Sequence, residues 1–210
     1  MSAEQFALSS DLISELLRGM RLRGVEYRRI QTSPSFGLGF AEKTGRAWFH
    51  FMAVGNAVLR MADGTTYALS AGNAVFISHG AAHQLYSHAD VPVQDIDRLD
   101  GVPLGDTVSA VHTGTDASPT PSTILFSGCM EFELGSIHGL GKLMPGLMLI
   151  DADGQRYPGL VPILTTMERE VSAARVGFAG ILARLADVVA AMVVRGWVEC
   201  ACGNASGLVA

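Results

Sequence analysis

The stretch that decides the fold is GNAVFISHGAAH, residues 72–83 of the 210-residue chain. A glycine opens an apolar run, the pair Ser78-His79 closes it, and a second glycine and a second histidine follow. This order predicts a strand, a tight turn and a second strand. Asp63-Gly64 lies just upstream between two apolar runs and predicts a hairpin, because glycine accepts the positive φ that the favoured turns need.

Outward from this stretch, short apolar runs separated by Gly, Pro, Asp and Asn extend from about residue 25 to residue 149. This pattern is typical of many short strands. The predicted strands are 25–30, 36–40, 47–54, 57–61, 66–69, 74–77, 83–86, 123–134 and 147–150. Residues 89–122 are rich in Asp, Pro, Gly, Ser and Thr, and we expect them to form a long surface loop.

The two ends of the chain show helical spacing instead. Residues 9–23 place apolar side chains on one helical face, and residues 161–174 do the same with Pro162 in the first turn. Residues 178–197 carry a broad apolar stripe that includes Leu185 and Val189. The stripe is wider than packing on one wall of its own domain requires. We therefore expect part of it to face a second copy, rather than all of it to pack internally.

Composition and charge narrow the function. A net charge of −5 and a pI of about 5.6 argue against nucleic-acid binding by this chain alone, since phosphate binding needs clustered Lys and Arg. The three cysteines, an odd number, indicate reduced thiols, and no secretory signal opens the sequence. The longest apolar stretch, 181–194, contains Arg184 and Asp187 and is too short to cross a membrane. We expect a cytoplasmic protein without a membrane segment.

The order of residues in 72–83 resembles the second sequence motif of the cupins, G-x5-P-x-G-x2-H. Gly72, Gly80 and His83 match it, and Ser78 stands in place of the proline. Other segments extend the resemblance over almost the whole chain. They are DLISELLRGMRLRGVEYRRI, AWFHFMAVGNAVLRM, LFSGCMEFELGSIHGLGKLMPGLMLI and ARLADVVAAMVVRGWV. Together they are similar to the N-terminal effector-sensing domain of AraC-type transcription regulators.

This resemblance implies a mainly β fold with flanking helices, in which a cupin-type β-barrel (a double-stranded β-helix) is followed by a C-terminal pair of helices. Residues 1–157 would be the sensor barrel with its N-terminal helix, 158–198 the helical dimerisation segment, and 199–210 a linker. The expected function is to bind a small-molecule effector and to relay its binding to a helix-turn-helix domain. That domain, through which the homodimer would contact DNA, is absent from this chain, which we expect to be cut at the linker.

The chain departs from the family pattern at Ser127, near which a cysteine is usual, and at Gly139, where a proline is usual. The chain also differs from the enzymatic cupins, which hold a catalytic metal ion. Those proteins bind the metal with two histidines and a glutamate of the first motif and the histidine of the second. Here Glu42 and Thr44 stand where the two histidines would be, and Trp48 replaces the glutamate. We therefore expect no enzyme and no catalytic residues; the alternative is a stand-alone metal-dependent isomerase or dioxygenase.

Candidate binding residues follow from the alternation of a strand. Trp48, His50 and Met52 share one face, and His83 points inward by the motif match, so with Phe76 they are the predicted ligand pocket. If His50, His83 and Cys129 approach one another, two imidazoles and a thiolate form a reasonable zinc site. The alternative, which we favour, is that the histidines hydrogen-bond within a polar pocket while Cys129 packs as a small apolar residue.

Overall fold

The computed structural model describes residues 14, 17, 18, 20–113, 123–133, 144–151, 157 and 159–206. Within these ranges, twelve strands form two sheets and two long helices follow. The strands are β1 Arg21–Thr32, β2 Gly37–Phe40, β3 Arg46–Val54, β4 Asn56–Met61, β5 Thr66–Ser70, β6 Ala74–Ile77, β7 His83–Tyr86, β8 Gln94–Asp95, β9 Gly101–Gly105, β10 Val108–Thr113, β11 Thr123–Glu133 and β12 Met148–Ile150. The helices are α1 Leu160–Ala173 and α2 Phe178–Ser206.

The two sheets face each other and enclose the barrel interior. The larger sheet has the order β12-β6-β3-β11-β1-β10-β9, and the smaller sheet has the order β5-β4-β7-β2-β8. Inward side chains of both sheets form one core, which includes Leu38, Trp48, Met52, Leu59 and Leu85. Burial of each such side chain contributes about 1.5–3 kcal/mol to folding. The predicted mainly β fold with a C-terminal pair of helices is confirmed.

A second core lies between the other face of the larger sheet and the helices. Phe49 and Phe51 of β3 project into it because they alternate with the inward residues of the same strand. From α2, the side chains of Leu182, Val189 and Val193 are buried against this face. Strand β3 therefore contributes side chains to both cores, one on each of its faces.

The predicted turn after β6 depends on Gly80. Its φ of +64° lies in the left-handed region, and a Cβ there would stand 2.2 Å from the Lys43 carbonyl oxygen. The Gly80 carbonyl also accepts a hydrogen bond from the Lys43 N–H at 2.9 Å. Only glycine lets the turn pack this closely on the chain that leads into β3, and this is the physical role of the motif glycine.

The prediction of one long loop over 89–122 was wrong. This segment contains β8, a short 3-10 helix Ile96–Arg98, β9 and β10, while residues 114–122 lie outside the described part. β10 forms because Val108 and Val111 are buried and because it pairs in parallel with β1. Gly105-Asp106, between two runs containing valine, is a hairpin signal that the sequence prediction did not use.

The helix boundaries also differ from the predicted ones. Of the expected helix at 9–23, residues 21–23 belong to β1, and most of the rest lies outside the described residues. Helix α2 continues to Ser206, beyond the expected end at 197 and through most of the expected linker. Extending a helix adds one backbone hydrogen bond per residue, which offsets the weak propensities of this small-residue segment. No helix in the described ranges is long and apolar enough to cross a membrane.

Candidate functional site

Two histidines meet across the barrel interior, one from each sheet. His50 lies on β3 and His83 on β7, and their Nε2 atoms are 2.7 Å apart. Both side chains are buried, with exposures of 0% and 3%. The pair therefore links the two sheets by one hydrogen bond at the centre of the fold.

The partners of the pair determine its tautomers. His83 Nδ1 lies 2.8 Å from the Ala81 carbonyl oxygen, and since a carbonyl only accepts, this nitrogen carries the proton. In the neutral ring, His83 Nε2 is then the acceptor, and His50 Nε2–H donates to it. This leaves His50 Nδ1 as a bare acceptor, buried and without a hydrogen-bond partner among the described residues.

Burial keeps both rings neutral. Desolvation holds the pKa of His50 well below its usual value, and the neighbouring His83 lowers it further. Desolvation also lowers the pKa of His83 to about 4, against a smaller opposing effect of the hydrogen bond to Ala81. At neutral pH the pair is thus an uncharged hydrogen-bonding unit.

Aromatic rings surround the pair. Phe40 of β2 stacks on His83 at a centroid distance of 4.8 Å and an interplanar angle of 5°, and its centroid lies 4.6 Å from that of His50. Trp48 stacks on His50 at 6.0 Å and meets His83 edge-on at 5.8 Å. Phe40, Trp48, His50 and His83 form a four-ring cluster, which we call the ring cluster.

Polar atoms of the interior are left without partners beside the ring cluster. Trp48 Nε1 and Ser127 Oγ are buried and, like His50 Nδ1, have no hydrogen-bond partner among the described residues. Ser127 is directly opposite His50 in the pairing of β3 with β11. Unpaired buried polar groups cost about 1–3 kcal/mol each, so a molecule that hydrogen-bonded to these three atoms would gain free energy.

The predicted pocket residues divide between the two cores. Trp48, His50, Met52 and His83 do face the barrel interior. Phe76 does not, since it lies in the core between the larger sheet and the helices. On β6 the inward residues are Val75 and Ile77, so the parity assumed for Phe76 was off by one.

Of the three predicted metal ligands, the structure brings His50 and His83 together, but Cys129 does not complete a group with them. No group of three His, Cys, Asp or Glu side chains among the described residues is arranged to hold a metal ion. His50 is paired with Ser127 across the strands, whereas Cys129 is paired with Trp48 and lies two residues further along β11. Its Sγ instead accepts a hydrogen bond from Arg46 Nη1 at 3.8 Å, and burial raises the pKa of the thiol.

Sequence reasoning missed Phe40, the ring that touches both histidines. Strand β2 reads GLGF, and its two glycines give no polar alternation from which the inward face could be recognised. The position of Leu38 in the interior core places Phe40, two residues on, in the same core. Polar residues at the two glycine positions, which alternate with Leu38 and Phe40, would have marked the inward face of β2.

A cleft of about 550 Å³ lies outside the barrel, on the smaller sheet. Its lining includes Gly39, Arg60, Gln84 and Val93, and it reaches His83 at the sheet edge. A second cleft of about 340 Å³ is lined by Ser33, Gln94 and His112 among others. Phe40 and His83 border the first cleft, whereas Trp48, His50 and Met52 line neither cleft and are buried in the interior.

Comparison with known proteins identifies the class. A model of a cupin family matches residues 11–199, nearly the whole chain. The chain therefore belongs to the cupins. Within them it is a cupin domain of the AraC type, which confirms the resemblance drawn from the sequence.

Solved structures with a related arrangement are remote. The apo form of a ToxT variant from Vibrio cholerae has a TM-score of 0.42 and 12% identity, covering 82% of this chain and 56% of that one. Wild-type ToxT from Vibrio cholerae with a bound unsaturated fatty acid has a TM-score of 0.40 and 9% identity, covering 83% and 54%. YhaK from Escherichia coli has a TM-score of 0.35 and 12% identity, covering 67% and 46%. The chain thus spans about half the length of these structures, and no curated protein sequence matches it.

Proposed function

We propose that this chain is the ligand-sensing and dimerisation domain of an AraC-type transcription regulator. The observation that carries the proposal is the ring cluster with its unpartnered polar atoms inside a cupin barrel. A small polar effector that satisfied Trp48 Nε1, His50 Nδ1 and Ser127 Oγ would recover the cost of leaving these groups unpaired. The effector-binding residues are then Trp48, His50, Met52 and His83, together with Phe40. Phe76 lies in the core beneath the helices and does not contact the effector.

Strand β3 also connects the effector site to the helices. Trp48, His50 and Met52 alternate along β3 with Phe49 and Phe51, which pack beneath the helices. Because the interior is closely packed, an effector has to displace side chains there and shift β3. An effector that binds the shifted arrangement more tightly would move the population towards it and reposition α2.

In this proposal residues 1–157 are the sensor and 158–198 the dimerisation segment. Residues from 199 onward lead to a helix-turn-helix domain outside this chain, through which the regulator would contact DNA in the cytoplasm. The continuation of α2 to Ser206 supports this role, since a helix passes on a displacement of its barrel-bound part more rigidly than a loop. The homodimer is proposed to form through the outward side of α2.

Metal-dependent cupin catalysis is the competing function. The residues do not favour it, because Trp48 replaces the glutamate ligand and Cys129 is turned to Arg46 rather than to the histidine pair. Elemental analysis of the purified protein discriminates between the two. Stoichiometric zinc that is lost on Cys129→Ser would support a His50–His83–Cys129 centre, and its absence leaves the hydrogen-bonded pair.

The sensor function is tested by fluorescence of Trp48 in a Trp197→Phe background, screened against small polar metabolites. An effector should change the emission, raise the melting temperature and be recovered unchanged. The variant Ser127→Ala should weaken binding, since it removes one of the three unpartnered groups. A compound that is consumed rather than recovered would contradict the sensor and support the enzyme.

A further inference from the structure

The outer face of the smaller sheet carries a feature that the sensor function does not use. The floor of the 550 Å³ cleft is a single row across three neighbouring strands, formed by Gly39 of β2, Gln84 of β7 and Arg60 of β4. These residues point away from the barrel because their neighbours Leu38, Leu59 and Leu85 are in the interior core. The row therefore lies on the outer face of the sheet, and the cleft meets the ring cluster where Phe40 and His83 join its lining.

Small residues make this face concave. Outward or edge positions around the row are occupied by Ala41, Ala62 and Ala82, which contribute little side-chain volume. One wall is the segment that contains Val93 and Asp95, and it runs so close to β2 that a Cβ on Gly39 would stand 3.1 Å from Val93 Cγ1. The result is a mostly apolar hollow with Arg60 at its floor.

Arg60 is held in place by uncharged groups. Its Nε donates to Gln84 Oε1 at 3.0 Å, its Nη2 donates to the same oxygen, and its Cζ lies 5.0 Å from the centroid of the Tyr86 ring. By contrast, Arg28, Lys43 and Arg46 each pair with a carboxylate. No carboxylate among the described residues is within ion-pair distance of Arg60, so its charge is oriented but not neutralised.

The acidic group of the lining is already engaged. Asp95 Oδ1 accepts the Asp97 N–H at 3.0 Å, and its other oxygen lies 3.6 Å from Arg98 Nε. The cleft thus presents one fixed cation beside apolar walls. A guanidinium with free N–H donors recognises a carboxylate through charge-assisted hydrogen bonds, and the walls suit an apolar body.

We propose that this cleft binds a small organic acid, with the carboxylate on Arg60 and the apolar part against Ala41, Ala62 and Ala82. The site shares Phe40 and His83 with the interior pocket at its border, but its carboxylate-binding group is Arg60, which the proposed function does not use, so the two proposals are tested by different residues.

NMR titration of the 210-residue chain tests the proposal, with hexanoate and cyclohexanecarboxylate as probes and their uncharged amides as matched controls. Both acids should give saturable shifts at the amides of Gly39, Gln84 and Val93, with a Kd of about 1 mM or tighter. The amides should bind at least about tenfold more weakly, because they lose the charge-assisted hydrogen bonds to Arg60.

Three variants test the role of Arg60. Arg60→Met keeps an unbranched stem over Tyr86 but removes the charge, and it should weaken both acids by at least about tenfold while leaving the amides unchanged. Arg169→Met removes an exposed charge of α1 and should bind as the wild type does. An unchanged circular dichroism spectrum shows that Arg60→Met folds. Arg60→Lys keeps the charge but loses the paired N–H donors of the guanidinium, so its affinity for the acids should lie between that of the wild type and that of Arg60→Met.

Three outcomes would overturn the cleft site. They are no saturable binding of either acid, equal binding of acid and amide, or unchanged affinity in Arg60→Met. Saturable shifts centred on Trp48 and His50 instead of Gly39 would also overturn it, while supporting the interior pocket. The failure of this inference is therefore distinguishable from the failure of the sensor function.

Discussion

At the scale of residues, the barrel interior depends on a histidine pair that is neutral because it is buried. The hydrogen bond between His50 and His83 joins the two sheets, and the Ala81 carbonyl fixes its direction. Protonation of either ring would place a charge beside Phe40 and Trp48 in a site closed to water. The pair therefore makes the stability of the fold sensitive to mild acid.

We predict that the free energy of unfolding falls as the pH decreases from about 6.5 to about 4. The pKa of His83 is lowered to about 4 in the folded chain, so over this interval the unfolded chain takes up a proton that the folded chain does not. His83 alone accounts for a loss of the order of 3 kcal/mol, and His50, whose pKa is also lowered, adds to it.

Urea unfolding at several pH values between 7 and 4 measures this effect. His83→Gln should reduce the pH dependence by close to one proton. Met52→Leu, a volume-conserving change in the same interior, should alter the stability by less than about 1.5 kcal/mol and leave its pH dependence as it was. A wild-type stability that is constant over this range would show that the pair is not neutral in the folded state.

A second residue prediction concerns the motif glycine. Gly80→Ala should destabilise the fold by more than about 2 kcal/mol, because a left-handed φ is combined with a Cβ 2.2 Å from the Lys43 carbonyl. Gly64→Ala is the matched control, since Gly64 also has a positive φ, of +87°, but no atom within 4 Å of its Cβ. It should cost only about 1–2 kcal/mol. Thermal unfolding of both variants gives the comparison, and equal losses would contradict a steric role for Gly80.

The site residues could be predicted only on strands where one face can be told from the other. On β3 the alignment of Trp48 with the glutamate of the cupin motif gave the inward face, and the predicted inward placement of Trp48, His50 and Met52 agrees with the structure. On β6 all four residues are apolar and buried, because both faces of this strand are covered. Such a strand carries no alternation, and for that reason the inward face could not be assigned and Phe76 was placed wrongly. Meeting points such as His50–His83 depend on how the two sheets face each other, which no local pattern contains.

At the scale of elements, the outward side of α2 carries an apolar stripe that the barrel does not cover. Ile181 and Val188 are exposed by 47% and 45%, and Leu185 is half-buried between them. Their spacing of four and three residues places them on one face, as in a coiled coil. Val189, by contrast, is buried against the larger sheet and cannot face a partner.

We predict that Ile181→Lys and Val188→Lys each convert a dimer into a folded monomer. Sedimentation of the unchanged chain should give about twice the monomer mass of 22.2 kDa at micromolar concentration. Val189→Lys is a control that places the same charge on the buried side of α2. It should unfold the chain instead, since it buries an unpaired charge in the second core. A wild-type monomer throughout the micromolar range would contradict the dimer.

The elements themselves were largely predictable. Each of the nine predicted strands overlaps a strand of the structure, because turn residues such as Asp63-Gly64 separate the apolar runs clearly. The strands of 101–113 were missed because their content of Gly, Pro, Asp and Ser resembles that of a loop. β10 is fixed by parallel pairing with β1, a contact between distant parts of the chain. Composition within a short window does not report such a contact.

At the scale of the whole molecule, several cations of the described residues are held in ion pairs. Arg28 and Lys43 both contact Asp97, and Arg46 lies between Glu26 and Glu131. The net charge of −5 also opposes binding to a polyanion. DNA affinity depends on the number of phosphates that Lys and Arg neutralise, so this arrangement gives little attraction to a duplex.

We therefore predict that the 210-residue chain alone does not bind DNA, even at low salt, where electrostatic attraction is strongest. A gel shift with duplex DNA and micromolar protein should show no retarded band, with and without hexanoate, since neither the ring cluster nor the Arg60 cleft presents a basic surface. Fusion of a helix-turn-helix domain after residue 210 should create binding, which checks that the chain is folded and competent to dimerise. Nanomolar binding by the chain alone would place the DNA contact within residues 1–210, and it would contradict the proposal that this part of the regulator only senses and dimerises.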